Sequence, residues 1–225
     1  MSAIREELKK LMLKMADIIP AINADNFEEI KEKIKLVESY AKWLHLDVAD
    51  GTFTKNTVWH NADDLQGLDA SLLIEVHLMI NDVEKRVVDW FLPVIKRIIF
   101  HLEAVKDADF IIAKCREAGK EAGIAINPET SWTRLYPYFG KADMFQILGV
   151  RPGLAGQKFN EEVLRKIEEV RKNCQNCIIE SDGGMNEETA LKAVQAGANL
   201  IAAASAIFND NIEESFRRLK SAVNG

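Results

Sequence analysis

Short apolar runs alternate along the chain with stretches in which apolar residues recur at helical spacing. The runs DIIPAIN, KWLHLDV, SLLIEVHLM, IKRIIFHL, AGIAIN, ADMFQILGV, NCIIESDGG and ANLIAAAS predict eight strands. Between them the spacing predicts helices over Phe27 to Tyr40, Asp82 to about Leu92, Asp107 to Ala118, Glu161 to Lys172 and Glu187 to Ala196, and a last helix from about Asn211. A polar loop with a short helix separates the second and third runs. Strands that alternate with helices imply parallel βαβ units, and eight of them predict a closed (β/α)8 TIM barrel. An open doubly wound sheet is the alternative, but no Gly-rich dinucleotide fingerprint follows the first strand. No Pro/Gly/Ser-rich linker interrupts residues 1–225, so a single domain is expected. Ile4, Leu8, Leu11, Met12 and Met15 predict an amphipathic helix over residues 1–15, an extension ahead of the barrel.

Charge narrows the partners. The net charge is −6, and lysines are scattered among glutamates, as in FEEIKEKIKLVESYAKW. A nucleic-acid partner would need clustered basic residues, so none is expected. No apolar run at the N-terminus is long enough for a signal peptide or membrane span, which predicts a cytoplasmic protein without a membrane partner. The three cysteines, Cys115, Cys174 and Cys177, suit a reducing compartment. The CQNC spacing matches half a zinc site or a redox pair, but no second Cys or His pair lies near it, so no role is expected for it.

The chemistry lies in the strands. In WLHLDVADG an otherwise apolar strand carries His45 and Asp47 two positions apart, which puts both on one face. Ionisable groups on an inward face need a partner or a function. Active sites of such barrels sit at the C-terminal strand ends. His45 and Asp47 end the second predicted strand, His77 the third, His101 the fourth and Asp182 the seventh. His45, Asp47, His77 and Asp182 form a candidate set for one divalent metal ion, and mixed nitrogen and oxygen ligation suits Zn, Mn, Fe or Co better than Mg or Ca. His60, in NTVWHN, reads as a surface residue.

The segments LHLDVADGTF, EVHLM, FHLEA, PGLAGQKF, ESDGGMNEET and AGANLIAAASAIF resemble, in order and spacing, the ribulose-phosphate 3-epimerase family. The resemblance covers nearly the whole chain after Asp17. It implies a TIM barrel of the ribulose-phosphate binding type that interconverts a ketose phosphate with its C3 epimer using one divalent metal. Asp47 and Asp182 are then the acid/base pair on opposite faces of C3, and they bind the metal together with His45 and His77. The substrate expected is D-ribulose 5-phosphate, with D-xylulose 5-phosphate as product, and a homo-oligomer is the usual state of such barrels. Small residues after the sixth, seventh and eighth strands, Gly153, Gly156, Gly183, Gly184, Ala204 and Ser205, are candidates to hold the phosphate through backbone N–H groups. Met79 matches one of the methionines that wall the family's site.

The chain departs from the family pattern at several positions. Ala21 stands where the family usually has a serine, Ala49 and Leu148 where it has methionines, and Ala204 where it has a glycine. The methyl of Ala204 is tolerable only if its backbone has a negative φ. Ala21 and Ala49 together would enlarge the pocket floor. INPET and GLAGQ, with Glu129 and Ala155 where pentulose enzymes more often have glycine, look closer to the D-allulose-6-phosphate 3-epimerase branch. A hexulose phosphate is therefore an alternative substrate, and a degenerate, non-catalytic sugar-phosphate binding barrel is an alternative function. Decarboxylases resembling orotidine phosphate decarboxylase share the barrel, but their Asp-x-Lys-x-x-Asp array has no counterpart in EVHLMI.

Overall fold

A computed structural model describes residues 16–153 and 157–225. The expected helix over residues 1–15, together with Ala155 and Gly156, lies outside the described residues. Eight strands form a closed barrel in sequence order: β1 (Asp17–Ile22), β2 (Trp43–Ala49), β3 (Leu73–Met79), β4 (Ile95–His101), β5 (Glu121–Ile126), β6 (Met144–Leu148), β7 (Ile178–Asp182) and β8 (Leu200–Ala203). Every neighbouring pair is parallel, and β8 closes on β1 through Asp17↔Leu200 to Pro20↔Ala203. The eight runs read as strands are all strands.

The alternation within each strand decides what lies on either side of the barrel wall. On β2 and β3, Leu44, Leu46, Val48, Ile74, Val76 and Leu78 join the large apolar core between strands and helices. Their sequence neighbours His45, Asp47, Glu75 and His77 therefore face the barrel interior. Such interiors are commonly filled by layers of branched apolar residues. Here one quadrant is apolar, made of Ile99, Ala125, Met144 and Leu148 with Ile178 against them. Beside it lies a polar layer, and the register builds it: Glu75 pairs with His45 on β2 and with Arg97 on β4, and Arg97 pairs with Glu121 on β5.

The helices cover the outer face. Helix α1 (Phe27–Val37) starts at Asn26, whose side chain accepts a hydrogen bond from the Glu29 N–H, and it buries Ile30, Ile34 and Val37. After β3 the predicted helix over Asp82 to Leu92 shrinks to one α turn, Val83–Arg86, followed by a 3₁₀ stretch, Val87–Trp90. Two adjacent β-branched residues, Val87 and Val88, lose rotamer freedom in a helix, and Pro93 disfavours helical backbone at Leu92. Trp90 instead packs edge-on against Trp59 at 5.9 Å. The longer remaining helices, Ala108–Glu117, Glu162–Asn173, Glu187–Ala196 and Ile212–Asn224, match their predicted positions within two residues where a boundary was predicted, and a short helix, Ser205–Phe208, was not predicted. The helix Ile212–Asn224 is tied to the start of β1 by the Asn224 side chain, which bonds both the N–H and the carbonyl of Ala16 at 3.1 Å. Cys115 is buried and free, whereas Cys174 and Cys177, for which no role was expected, form a disulfide. The turn between them brings their Cα atoms to 5.4 Å, within disulfide reach. Among the described residues no helix is long and apolar enough to cross a membrane.

Candidate active site

His45, Asp47, His77 and Asp182 converge as expected, with one ligand atom from each lying within 4.8 Å of the others. Register explains the convergence, since Asp47 pairs with His77 across β2 and β3. Asp47 Oδ1 is 3.0 Å from His77 Nδ1 and 3.5 Å from His45 Nε2, and Asp182 Oδ2 is 3.7 Å from His77 Nδ1.

Each imidazole is oriented from behind. His45 Nδ1 lies 2.7 Å from Glu75 Oε1, so Nδ1 donates to Glu75 and Nε2 faces the cluster, where it can offer its lone pair to a metal ion in place of a proton. That Nε2 is buried and has no hydrogen-bond partner among the described residues. A buried nitrogen lone pair aimed at two carboxylates and a second imidazole fits a divalent cation. His77 presents Nδ1 to the cluster, while its Nε2 is 2.9 Å from Nε2 of His101. His101 Nδ1 in turn stands 3.4 Å from Glu103 Oε2. A second group, His45, Glu75 and Glu180, also has ligand spacing. Arg97 already supplies a cation there, with Nη1 2.6 Å from Glu75 Oε2, so this layer reads as support for His45.

Burial and carboxylate neighbours pull the proton affinities apart. Burial alone would lower the affinity of His45, but Asp47 and Glu75 overcome it and hold the imidazole well above its ordinary range. For Asp47 the upward push of burial is outweighed by His45 and His77 beside it, which hold the carboxyl below its ordinary range. Glu75 is held at about 2 against burial by His45 and Arg97. Asp182 moves the other way, raised by burial and by the charges of Asp47 and Glu75. Glu180 is raised strongly, by burial first and then by Glu75. Two carboxylates at one site whose surroundings drive them in opposite directions are suited to act as base and acid.

Glu103 allows a direct test of this electrostatic layer. Burial pushes it up, but the nearby His101 imidazole and hydrogen bonds from the Thr130 hydroxyl and the Asn127 N–H bring it down to about 2. Its contribution to stability is therefore complete above the ordinary glutamate range, near pH 4.5, and is lost as pH falls towards 2. Glu103→Gln should destabilise the protein by about 2 kcal/mol at pH 7. The deficit should shrink steadily between pH 4.5 and 2 in urea titrations; a deficit independent of pH would refute the assignment.

A cavity of about 150 Å³ opens onto Asp47, His77 and Asp182. Met79, Gly153, Gly183, Gly184, Ala204 and Ser205, all expected at the substrate, line it, and Gly156 lies outside the described residues. Gly183 and Gly184 have φ of +91° and +73°, and a Cβ at Gly183 would fall 2.5 Å from Val150 Cγ2. Only glycine fits there, and the bare backbone lies open to an anion. Ala204 has φ −101°, so its methyl group is accommodated. Ala21 and Leu148 line the cavity. Ala49 does not enlarge the floor, which corrects that expectation: it is fully buried against Val58 and Met79, with Phe53 packed on the group. His60 is exposed, with Nδ1 2.6 Å from the Val58 carbonyl oxygen.

Sequence reasoning placed His101 at the active-site end of its strand without giving it a role, and it missed Glu75, Arg97, Glu103, Gln146 and Glu180 as parts of the site. A signal was present for three of them. Glu75 and Glu180 stand two residues before His77 and Asp182, and Gln146 two before Leu148, so the alternation that paired His45 with Asp47 also places them on the inner face.

A model of the ribulose-phosphate 3-epimerase family matches residues 17–208. The chain is 36% identical over 207 residues to the ribulose-phosphate 3-epimerase of Synechocystis sp., covering 88% of this chain and 90% of that protein. It is 33% identical over 204 residues to the Bacillus subtilis ribulose-phosphate 3-epimerase, covering 88% and 94%. It is 33% identical over 218 residues to the chloroplastic ribulose-5-phosphate-3-epimerase of Arabidopsis thaliana, covering 92% and 78%. Among solved structures, orotidine 5'-phosphate decarboxylase from Pyrococcus horikoshii superposes with a TM-score of 0.67 at 16% identity, over 93% of this chain and all of that one, a likeness of fold.

Proposed function

The chain belongs to the ribulose-phosphate 3-epimerase family, an isomerase family acting on carbohydrates, and from that premise we propose a metal-dependent inversion of C3 in a ketose phosphate, with Asp47 and Asp182 as the acid/base pair. The observation that carries the proposal is the convergence of these two carboxylates beside His77 with proton affinities driven in opposite directions. His45 through Nε2, His77 through Nδ1, Asp47 and Asp182 would hold one Zn, Mn, Fe or Co ion, which supplies Lewis acidity to a carbonyl and to the oxyanion that develops from it.

The side chains account for the rest of the chemistry. An ionised Asp47 takes the C3 proton, and the C–H electron pair moves into a C2–C3 double bond as the C2 carbonyl becomes an enediolate oxygen. A protonated Asp182 then returns a proton to C3 from the opposite face. The reverse reaction exchanges the two roles, as an epimerase with no net redox change requires. Backbone N–H groups at Gly183, Gly184, Ala204 and Ser205, with Gly153, hold the phosphate, and Arg151, bonded to Glu129, stands where the same cavity opens. Met79 and Leu148 present apolar surface to the cavity and limit water around the reacting carbon.

The substrate favoured by the names of the relatives is D-ribulose 5-phosphate, with D-xylulose 5-phosphate as product. D-allulose 6-phosphate is a second reading, supported by the small Ala21 side chain at the cavity wall. Solvent deuterium incorporation at C3, followed by NMR in D₂O with each sugar phosphate and each of the four metals, separates them. Rapid exchange with the pentulose is expected. Faster exchange with the hexulose would reassign the substrate, and absence of exchange with either would refute the proton-transfer roles.

A further inference from the structure

We infer that Gln146 is a positioning residue for Asp182, an inference that rests on the acid/base reading above. Gln146 lies on β6 between Met144 and Leu148, which face the apolar quadrant of the barrel interior. Its register partner on β7 is Glu180, and Leu148 pairs with Asp182. The side-chain amide thus meets two carboxyl groups stacked two residues apart on the next strand. Nε2 is 3.1 Å from Glu180 Oε1 and 3.2 Å from Asp182 Oδ2, so its two N–H bonds reach one carboxyl group each. Oδ2 is also the Asp182 oxygen nearest His77 Nδ1.

The other end of the amide carries a cost. Gln146 is fully buried, and its Oε1 has no hydrogen-bond partner among the described residues. An unpaired buried carbonyl is destabilising, and a leucine or methionine here would complete the apolar quadrant without that loss. A glutamine that packs less well than an apolar residue, and whose side-chain bonds among the described residues go to Glu180 and the proposed acid/base Asp182, is explained by what it does to that carboxylate. With Oδ2 held by Gln146 and turned to the ligand cluster, Oδ1 is the oxygen that meets the substrate proton. Asp47 receives no bond from Gln146, so the effect falls on one face of C3.

Gln146→Met keeps the length of the side chain and removes both donors. With saturating cobalt, kcat should fall about 10- to 100-fold while KM stays within about twofold. The fall should be about equal in both directions, as the fixed equilibrium constant requires, and the partition of the enediolate between its two faces should shift. Starting from the epimer whose proton Asp47 removes, deuterium should enter recovered substrate faster than product forms, because return to that face outruns delivery by Asp182. Starting from the other epimer, the ratio of exchange to conversion should fall below that of wild type, because return to substrate is then the step Asp182 performs. Cobalt affinity, read from its visible absorption, should weaken about tenfold, a readout independent of turnover. A Gln146→Leu variant guards against a fault peculiar to methionine, and both should melt no lower than wild type. Unchanged kcat in a folded variant, or exchange ratios unchanged from both epimers, would overturn the inference while leaving the epimerase reading intact. Failure of the wild-type protein to exchange with any substrate would overturn both.

Discussion

Asp47→Asn and Asp182→Asn are each expected to slow epimerisation by about 10²- to 10⁴-fold, the range for removing a general acid or base. The two variants should part company in stability. Asp47 is held ionised by His45 and His77, so its charge supports the folded state, and removing it should lower the melting temperature of chelator-treated protein. Asp182 is raised by burial and by neighbouring carboxylates, so its charge opposes folding at neutral pH. Asp182→Asn should therefore melt at or above the wild-type temperature. Rate measurements beside thermal melts at pH 7 test both statements. Turnover near wild type in either variant with metal bound would remove that residue from the mechanism, and equal melting shifts would contradict the opposed electrostatics.

The second large effect is expected beneath the site. The Arg97 guanidinium donates to Glu75 and Glu121 at 2.6–2.7 Å and lies 4.2 Å over the Trp43 ring, with its side chain only 4% exposed. Arg97→Met would strand Glu75 as a buried charge whose one remaining strong partner is His45. Breaking a buried pair on one side costs about 3–5 kcal/mol, and at roughly 2–4 °C per kcal/mol for a chain of this size the melting temperature should fall by about 10 °C. Adding Glu75→Leu should restore much of that stability, because the stranded charge is removed with its partner. The double variant should still bind metal weakly, since His45 Nδ1 has then lost Glu75. Denaturation curves of the single and double variants decide the matter: a double variant no more stable than Arg97→Met would show that packing around Arg97, and not the charge, carries the effect.

Both predictions draw on residues that differed in how readily the chain revealed them. His45, Asp47, His77 and Asp182 stood out because ionisable groups interrupt apolar runs at the C-terminal ends of strands, a local pattern that needs only the two-residue period. Glu75 and Glu180 obey the same period, but a glutamate in a strand gives no hint of its partner until the neighbouring strand is in register. Gln146 gave still less signal, because a neutral amide inside MFQIL reads as a tolerated polar residue.

The sequence by itself determined the alternation of strand and helix, the barrel that eight such units close, and the face on which each strand carries its polar residues. Those are consequences of local spacing and backbone geometry. The tertiary structure alone decided which polar groups meet: Arg97 with Glu75 and Glu121, His101 behind His77, and Gln146 across to Asp182. It also decided that Ala204 has a negative φ and that Ala49 is packed beneath Val58. Such outcomes depend on inter-strand register and on closure between β8 and β1, which bring together residues far apart in the chain and leave no trace in its local periodicity.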